Sequence, residues 1–273
     1  MPRPYAGSRL PRGLCYNAPM FPVRLSFVTL NLWNTERWAV RRPALGEFLH
    51  IFRPDVLCVQ ELHPETRAFL DESLPGYLRV NDPFSGWESE GNIYWDRQHL
   101  EEVEHGAEDV GIVEPERRLF WARLRVRDAG ITLLVCTAHF TFKGNTDEVH
   151  TGWSPRVRQT RQSIRALDRL AHTGEPVFFM GDFNDSSHPA FLLREAGYTD
   201  CFTALSLQSP PTAPCVPTSN RLPNEPAPSQ TLDWIVSSAQ ARAIAAQVPH
   251  FFFGDVTPSD HWPVQAVYEI GPN

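Results

Sequence analysis

The chain has 273 residues, 42% of them hydrophobic, and its 25 Lys and Arg against 32 Asp and Glu give a net charge of −7. It is long enough to bury a full core without covalent staples and too apolar for a disordered tail. The acidic balance excludes a protein that grips nucleic acid by bulk positive charge alone.

Residues 1–22, MPRPYAGSRLPRGLCYNAPMFP, are rich in Pro, Gly and Arg and lack the unbroken apolar core of a signal peptide. They are expected to form a poorly ordered N-terminal arm, with 23–273 as a single domain. Short strand-like runs then recur. RLSFVTLNLW (24–33) reads as a strand, TERWAVRRPALGEFLHIF (35–52) as a helix interrupted by Pro43, and PDVLCVQE (54–61) as a buried strand. HPETRAFLDESL (63–74) reads as a short helix. GNIYWD (91–96), RLFWARLRVRD (118–128) and ITLLVCTAHF (131–140) follow as strands, the last two joined as a hairpin by Asp128-Ala129-Gly130.

The clearest helix spans 154–171, with Ser154 as N-cap, Pro155 in the first turn and Val157, Ile164, Leu167 and Ala171 on one face. Arg158, Arg161, Arg165 and Arg169 form a stripe beside that face. EPVFFMGDFND (175–185) reads as a buried strand running into a loop, SHPAFLLREAGY (187–198) as a capped helix, and TLDWIVS (231–237) and HWPVQAVYEI (261–270) as strands. The proline-dominated stretch 208–229 is expected to be a long surface loop inside the domain. Phe251, Phe252 and Phe253 are expected to continue a buried strand.

Five cysteines, Cys15, Cys58, Cys136, Cys201 and Cys215, make an odd count with no C-x-x-C pair. Such usage suits a reducing compartment, and a cytoplasmic location is expected. No apolar run approaches the ~18 residues of a membrane span, so no integral membrane association is expected. A monomer is expected.

Polar residues cluster where apolar strands end. Asn31 closes the first strand, Glu61 the second and His139 follows VCTA. Asp182 and Asn184 follow VFFM, Asp233 lies within TLDWI, and Asp260 and His261 open the last strand. Each alone has an ordinary use as a cap, a turn acceptor or a satisfied core group. Together they bring four carboxylates, two histidines and two asparagines to strand ends, which a sandwich gathers on one rim. Clustered carboxylates repel and cost desolvation unless a cation offsets them. Hard oxygen donors without cysteine select Mg²⁺, with Mn²⁺ as a substitute, over Zn²⁺. Histidines beside such a metal can contact phosphate or move protons near neutral pH.

Asn31, Gln60-Glu61, TAHF, GDFN, LDW and SDHWPV resemble, in order, the motifs of the endonuclease/exonuclease/phosphatase superfamily, whose fold is like that of deoxyribonuclease I. The resemblance implies a four-layer α/β/β/α sandwich with two mainly antiparallel sheets and metal-assisted hydrolysis of phosphodiesters. It implies Glu61 as the main Mg²⁺ ligand, with Asn31 and Asp260 as further ligands or water-mediated contacts. Asp182 would orient or deprotonate the attacking water, Asn184 would bind phosphate, and His261 would contact the scissile phosphate with Asp233 fixing its tautomer. His139 would bind a phosphate oxygen or protonate the leaving group. Trp33, in place of an acidic residue, argues against the branches that cut abasic DNA or remove tyrosyl adducts, and Leu232-Asp233-Trp234 and Asp185-Ser186-Ser187 against inositol-polyphosphate 5-phosphatases. The expected substrate is a nucleic acid or nucleotide phosphodiester, contacted by Trp33, Asn184 and Arg158. A sphingomyelinase-like or small-molecule phosphodiesterase and a catalytically silent binding module are the alternatives.

Overall fold

The computed structural model describes residues 22–215 and 229–271. Nearly all of the expected N-terminal arm, with Cys15, and most of the proline-rich stretch lie outside the described residues. The first half contains β1 (Val23–Asn31), α1 (Trp38–Phe52), β2 (Val56–Gln60), α2 (Pro64–Ser73), β3 (Tyr77–Arg79), α3 (Gly86–Ser89), β4 (Gly91–Asp96) and β5 (Leu100–Glu108). It continues with β6 (Leu119–Val126), β7 (Thr132–His139), α4 (Thr146–Thr151), α5 (Pro155–Leu170) and β8 (Val177–Asp182). The last part contains α6 (His188–Glu195), β9 (Thr199–Asp200), α7 (Cys201–Ala204), β10 (Asp233–Ser237), β11 (Ala241–Gln247) and β12 (Val264–Ile270).

Two six-stranded sheets result, in the orders β11-β12-β1-β2-β4-β3 and β5-β6-β7-β8-β10-β9. Every pairing is antiparallel except β1 with β2 and β7 with β8. Each parallel pair needs a crossover helix, supplied by α1 and α5. Three apolar clusters account for the layers. One fills the space between the sheets, where Phe27 stacks on Phe178 with ring centroids 4.1 Å apart and both meet Tyr268 edge-on. A second lies between the first sheet and α1 and α2, and a third between the second sheet and α5 and α6. The chain is therefore the expected α/β/β/α sandwich.

Several local readings differ. Pro43 lies inside α1 without ending it. The buried side of α5 is more polar than expected: Arg156, Gln159, Thr160 and Ser163 are buried with Ala166 and Leu167. Gln159 is satisfied by Thr141, donating to its hydroxyl and accepting from its N–H, and Arg156 donates to the Thr141 carbonyl, whereas the buried Ser163 hydroxyl has no hydrogen-bond partner. Ser154 sits at the N-cap but makes no cap bond. Asp185 rather than Ser187 caps α6, accepting from the N–H groups of Ser187 and His188. Phe251–Phe253 form no strand. Phe251 packs on Phe48 and Phe52, while Phe252 and Phe253 are exposed around a tight turn at Gly254. The proline-rich stretch begins at the surface, with Gln208 and Pro211 exposed, and then enters the fold: Thr212, Ala213 and Cys215 are buried, and Ala213 bridges Gln230. The four described cysteines are buried and free.

Gly181 is needed where β8 passes β7. Its φ is +147°, and a Cβ there would lie 2.1 Å from the Ala138 carbonyl oxygen. Gly181→Ala is expected to lower the unfolding free energy by about 2 kcal/mol or more. Urea titration checks this, and an unchanged midpoint would show that the close approach is dispensable.

Candidate active site

Alternation along the strands selects what enters the gap between the sheets. Leu25 and Phe27 of β1 face the inter-sheet core, whereas Val28 and Leu30 face α1. The period of two therefore sends Thr29 and Asn31 inward at the strand's end. The same parity carries Val56 and Cys58 to Gln60 in β2, Leu133 and Val135 to Thr137 and His139 in β7, and Phe178 and Met180 to Asp182 in β8. Ile235 places Asp233 inward in β10. Apolar contact thus gives way to a polar layer, where Gln60 Nε2 donates to Thr29 Oγ1 at 3.0 Å and across the gap to Thr137 Oγ1 at 2.9 Å.

Above that layer the two sheets share one hydrogen-bonded cluster. Asn31 Nδ2 donates to Glu61 Oε1 at 3.1 Å and to Asp182 Oδ2, on the opposite sheet, at 3.0 Å. Asn31 Oδ1 accepts from the Trp33 N–H at 2.8 Å. His139 Nε2 lies 3.4 Å from Asp182 Oδ2 and 3.9 Å from Glu61 Oε1. His261 Nδ1 lies 2.8 Å from Asp233 Oδ2 and 3.8 Å from Asp182 Oδ2. The Asn184 N–H donates to Asp182 Oδ1 at 2.8 Å, and its side-chain amide donates to the Phe140 carbonyl at 2.9 Å. Asp260 and His261 sit in the loop before β12 rather than in a strand. Ser259 Oγ ties that loop to the Asn31 carbonyl at 2.6 Å and accepts from the His261 N–H at 3.2 Å.

Electrostatics separate these groups. Burial, then the Asp233 charge, pushes the Asp182 carboxyl up to about 7 despite the donors around it. Burial also raises Asp260. Burial alone would discharge His261, but the Asp233 and Asp182 carboxylates hold its imidazolium well above the ordinary histidine range. His139 is driven the other way, first by burial and then by the positive charges of Arg117 and His261, so it is neutral. Two histidines in one site are thus held in opposite states.

Residues 28–261 match the Endonuclease/Exonuclease/phosphatase family model. The chain belongs to the endonuclease/exonuclease/phosphatase family. Its members typically hydrolyse phosphoester bonds and commonly use divalent metals. No curated protein aligns with the sequence closely enough to count as a match. Among solved structures, the chain is similar to a D. rerio TDP2 carrying 14 humanizing mutations, at 18% identity and TM-score 0.71 over 90% of this chain and 98% of that one. A mannosyl-6-phosphatase of Bacteroides thetaiotaomicron gives 19% identity and TM-score 0.72 over 89% and 99%. The human Nocturnin catalytic domain gives 16% and 0.66 over 90% and 93%. These likenesses establish the fold.

For this phosphoesterase the structure gathers Asn31, Glu61, His139, Asp182, Asn184, Asp233 and His261 around one point, with Trp33 and Asp260 at its edge. It does not bring in Arg158, which lies on α5 beside Trp153 and His188. The donor set suits a hard cation: crowded carboxylate oxygens, two carboxyl groups pushed upward, and Asp233 Oδ1 buried without a hydrogen-bond partner. Among the described residues, the tightest grouping of ligand atoms is Asp182, Asp233 and His261. Its His261 Nδ1, however, is occupied by its bond to Asp233. No described helix is long and apolar enough to cross a membrane.

Sequence reasoning missed the buried Arg41. Its guanidinium donates to the carbonyls of Trp33 and Asn34, each at 2.8 Å, of Glu36, and of Pro258 at 2.9 Å, locking the loop after β1 to the loop before Asp260. Burial lowers it to about 10, so it remains a cation beside Asp260 and Glu61. Nothing in WAVRRP distinguishes it from its exposed neighbour Arg42. Also missed was Thr212, whose hydroxyl accepts from the Leu232 and Asp233 N–H groups.

Asp182 ionises near 3.8 in the unfolded chain and at about 7 in the fold. The folded state holds this proton more tightly, so the stability it contributes is full below the unfolded value and is lost as pH rises through about 7. In chelator, Asp182→Asn is expected to shrink the loss of unfolding free energy between pH ~4 and ~8 by at least about 1.4 kcal/mol. Urea titrations at both pH values check this. Equal losses in both proteins would show that Asp182 ionises normally.

Proposed function

We propose that the chain is a divalent-metal-dependent phosphodiesterase acting on nucleic acid or nucleotide substrates. The observation that carries this reading is the shared cluster in which Asn31 joins Glu61 to Asp182, with one neutral and one cationic histidine beside it. Glu61 would hold Mg²⁺, with Asp260 contributing nearby and Asn31 orienting the Glu61 carboxylate. When bound, the cation neutralises phosphate charge and stabilises the charge that develops during hydrolysis.

The remaining work falls to side chains. Asp182 has the elevated basicity of a group that can take a proton from water near neutral pH, and Asn31 and the Asn184 N–H hold both its oxygens in place. His261 spends Nδ1 on Asp233, leaving Nε2 to donate to a phosphate oxygen while the ring keeps its charge. His139 stays neutral and offers Nε2 as a hydrogen-bonding group. Trp33 stands beside Asn31, and His250 and Phe252 pack around Trp262, the residue after His261. Such rings give bases a surface to stack on. A D. rerio TDP2 has been solved with a single-strand DNA product, which supports a nucleic-acid substrate for this shared fold.

With MgCl₂ the chain is expected to hydrolyse bis-p-nitrophenyl phosphate, and EDTA to abolish the release. Asp182→Ala and His261→Ala are expected to retain a cooperative thermal transition and lose about 100-fold or more in kcat. Full activity in either variant would overturn the assignment. Hydrolysis of the monoester p-nitrophenyl phosphate alone would replace the diesterase with a phosphatase. A separate readout concerns the metal: MgCl₂ is expected to raise the Tm of the wild-type chain and not that of Glu61→Ala.

A further inference from the structure

A second basic feature lies outside the cluster. Along α5, Arg158, Arg161 and Arg165 line a groove of about 610 Å³, with Trp153 at one end and His188 of α6 opposite. The arginine stripe divides here: Arg169 pairs with Glu108 at 2.8 Å, whereas Arg158, Arg161 and Arg165 are exposed and meet no carboxylate among the described residues. Trp153 is 81% exposed, the most exposed of the large hydrophobic side chains described. In a chain of net charge −7, unpaired cations and an uncovered indole concentrated in one concavity call for an anionic, aromatic occupant.

The groove adjoins the candidate active site. Its His188 lies 3.3 Å from Asp185 Oδ2, and Asp185 directly follows Asn184. The same carboxylate oxygen lies 3.5 Å from Arg156 Nε at the start of α5. At ~1.5 Å per residue, Arg158 and Arg165 are ~10 Å apart along the helix, a span over which one strand presents successive phosphates.

We propose that this groove is a strand-binding track: it holds the backbone of a single-stranded nucleic acid on Arg158, Arg161 and Arg165, and stacks a base on Trp153, beside the bond to be cut. The proposal rests on the phosphodiesterase reading and specifies a polymeric substrate for it. The occupant is a strand rather than a lipid surface because the cations line a concavity between two helices, where a bilayer plane cannot follow them.

The test uses the full chain in EDTA, so binding is read without turnover. A fluorescein-labelled oligothymidylate of about 20 nucleotides is the probe, and Kd is measured by anisotropy across a salt series. Arg161→Glu with Arg165→Glu is expected to weaken binding by at least about tenfold and to reduce the slope of log K against log salt by about 1.4, two phosphates' worth. Trp153→Ala is expected to weaken binding about fivefold with the slope unchanged. Hydrolysis of bis-p-nitrophenyl phosphate by the double arginine variant should equal that of the wild-type chain. Binding or slope that ignores the double substitution overturns the track, as does a wild-type chain that binds phosphatidylserine vesicles through these arginines but no oligonucleotide. If the chain instead binds as expected but hydrolyses no diester with Mg²⁺, the phosphodiesterase reading fails while the track stands.

Discussion

Two carboxylates on opposite sheets, Glu61 and Asp182, accept from a single amide nitrogen of Asn31. For one short side chain to reach both, the ends of β1 and β2 must meet the ends of β7 and β8 at one height. The sheets meet this demand because they are built alike. Starting from β11 in one and β5 in the other, successive pairings run antiparallel, antiparallel, parallel, antiparallel, antiparallel. The parallel pair is central in both, so each sheet delivers two strand ends to the same edge of the sandwich. Asn31 lies opposite Gln60 in one register and His139 opposite Asp182 in the other. Equivalent places carry different residues, which is how a repeated frame forms a site with no repeat in the sequence.

That convergence works against stability. Desolvating carboxylates beside one another is unfavourable, and raised proton affinities at Asp182 and Asp260 are its signature. The fold offsets part of the cost with the Asn31 amide, the Asn184 N–H, the Arg41 charge and the imidazolium of His261. What remains is relieved by a proton or by a cation. A phosphoesterase gains from leaving the imbalance in place, because a fully satisfied cluster would have no affinity left for metal or phosphate.

Legibility in the sequence follows the same physics. The central strands carry largely apolar runs that end in polar residues, as in VTLN, VLCVQE and VFFMGD, and both the strands and the residues they deliver could be read directly. Edge strands could not. LEEVEHGAE of β5 carries four glutamates because an edge needs little burial, and it is bulged between Glu102 and Glu104. ARAIAAQ of β11 has helical propensity that pairing with β12 overrides. Asp260 and His261 were recognised from the SDH motif, but their loop is positioned by Arg41 and Ser259, whose contacts span more than 200 positions. Contacts of that range leave no local pattern. Phe251–Phe253 misled for a related reason, since an apolar triplet reads alike whether it crosses a core or turns over the rim.

Net charge was the bluntest of the sequence signals, because what matters is which charges are already paired. Arg24 and Arg242 share Glu269, Arg125 and Arg127 share Glu101, and Arg123 bonds Glu175 and pairs with Glu104. Those cations are spent on the fold and would attract little. The acids are also unevenly placed, with Glu61, Asp182, Asp233 and Asp260 drawn into one rim. An anionic polymer near this chain therefore meets two local fields instead of an average of −7. The carboxylate rim repels it until a cation arrives, and the unpaired arginines of α5 attract it throughout. Such an arrangement would make cleavage dependent on metal while leaving strand capture independent of it, so an acidic protein need not be a poor partner for an acidic polymer.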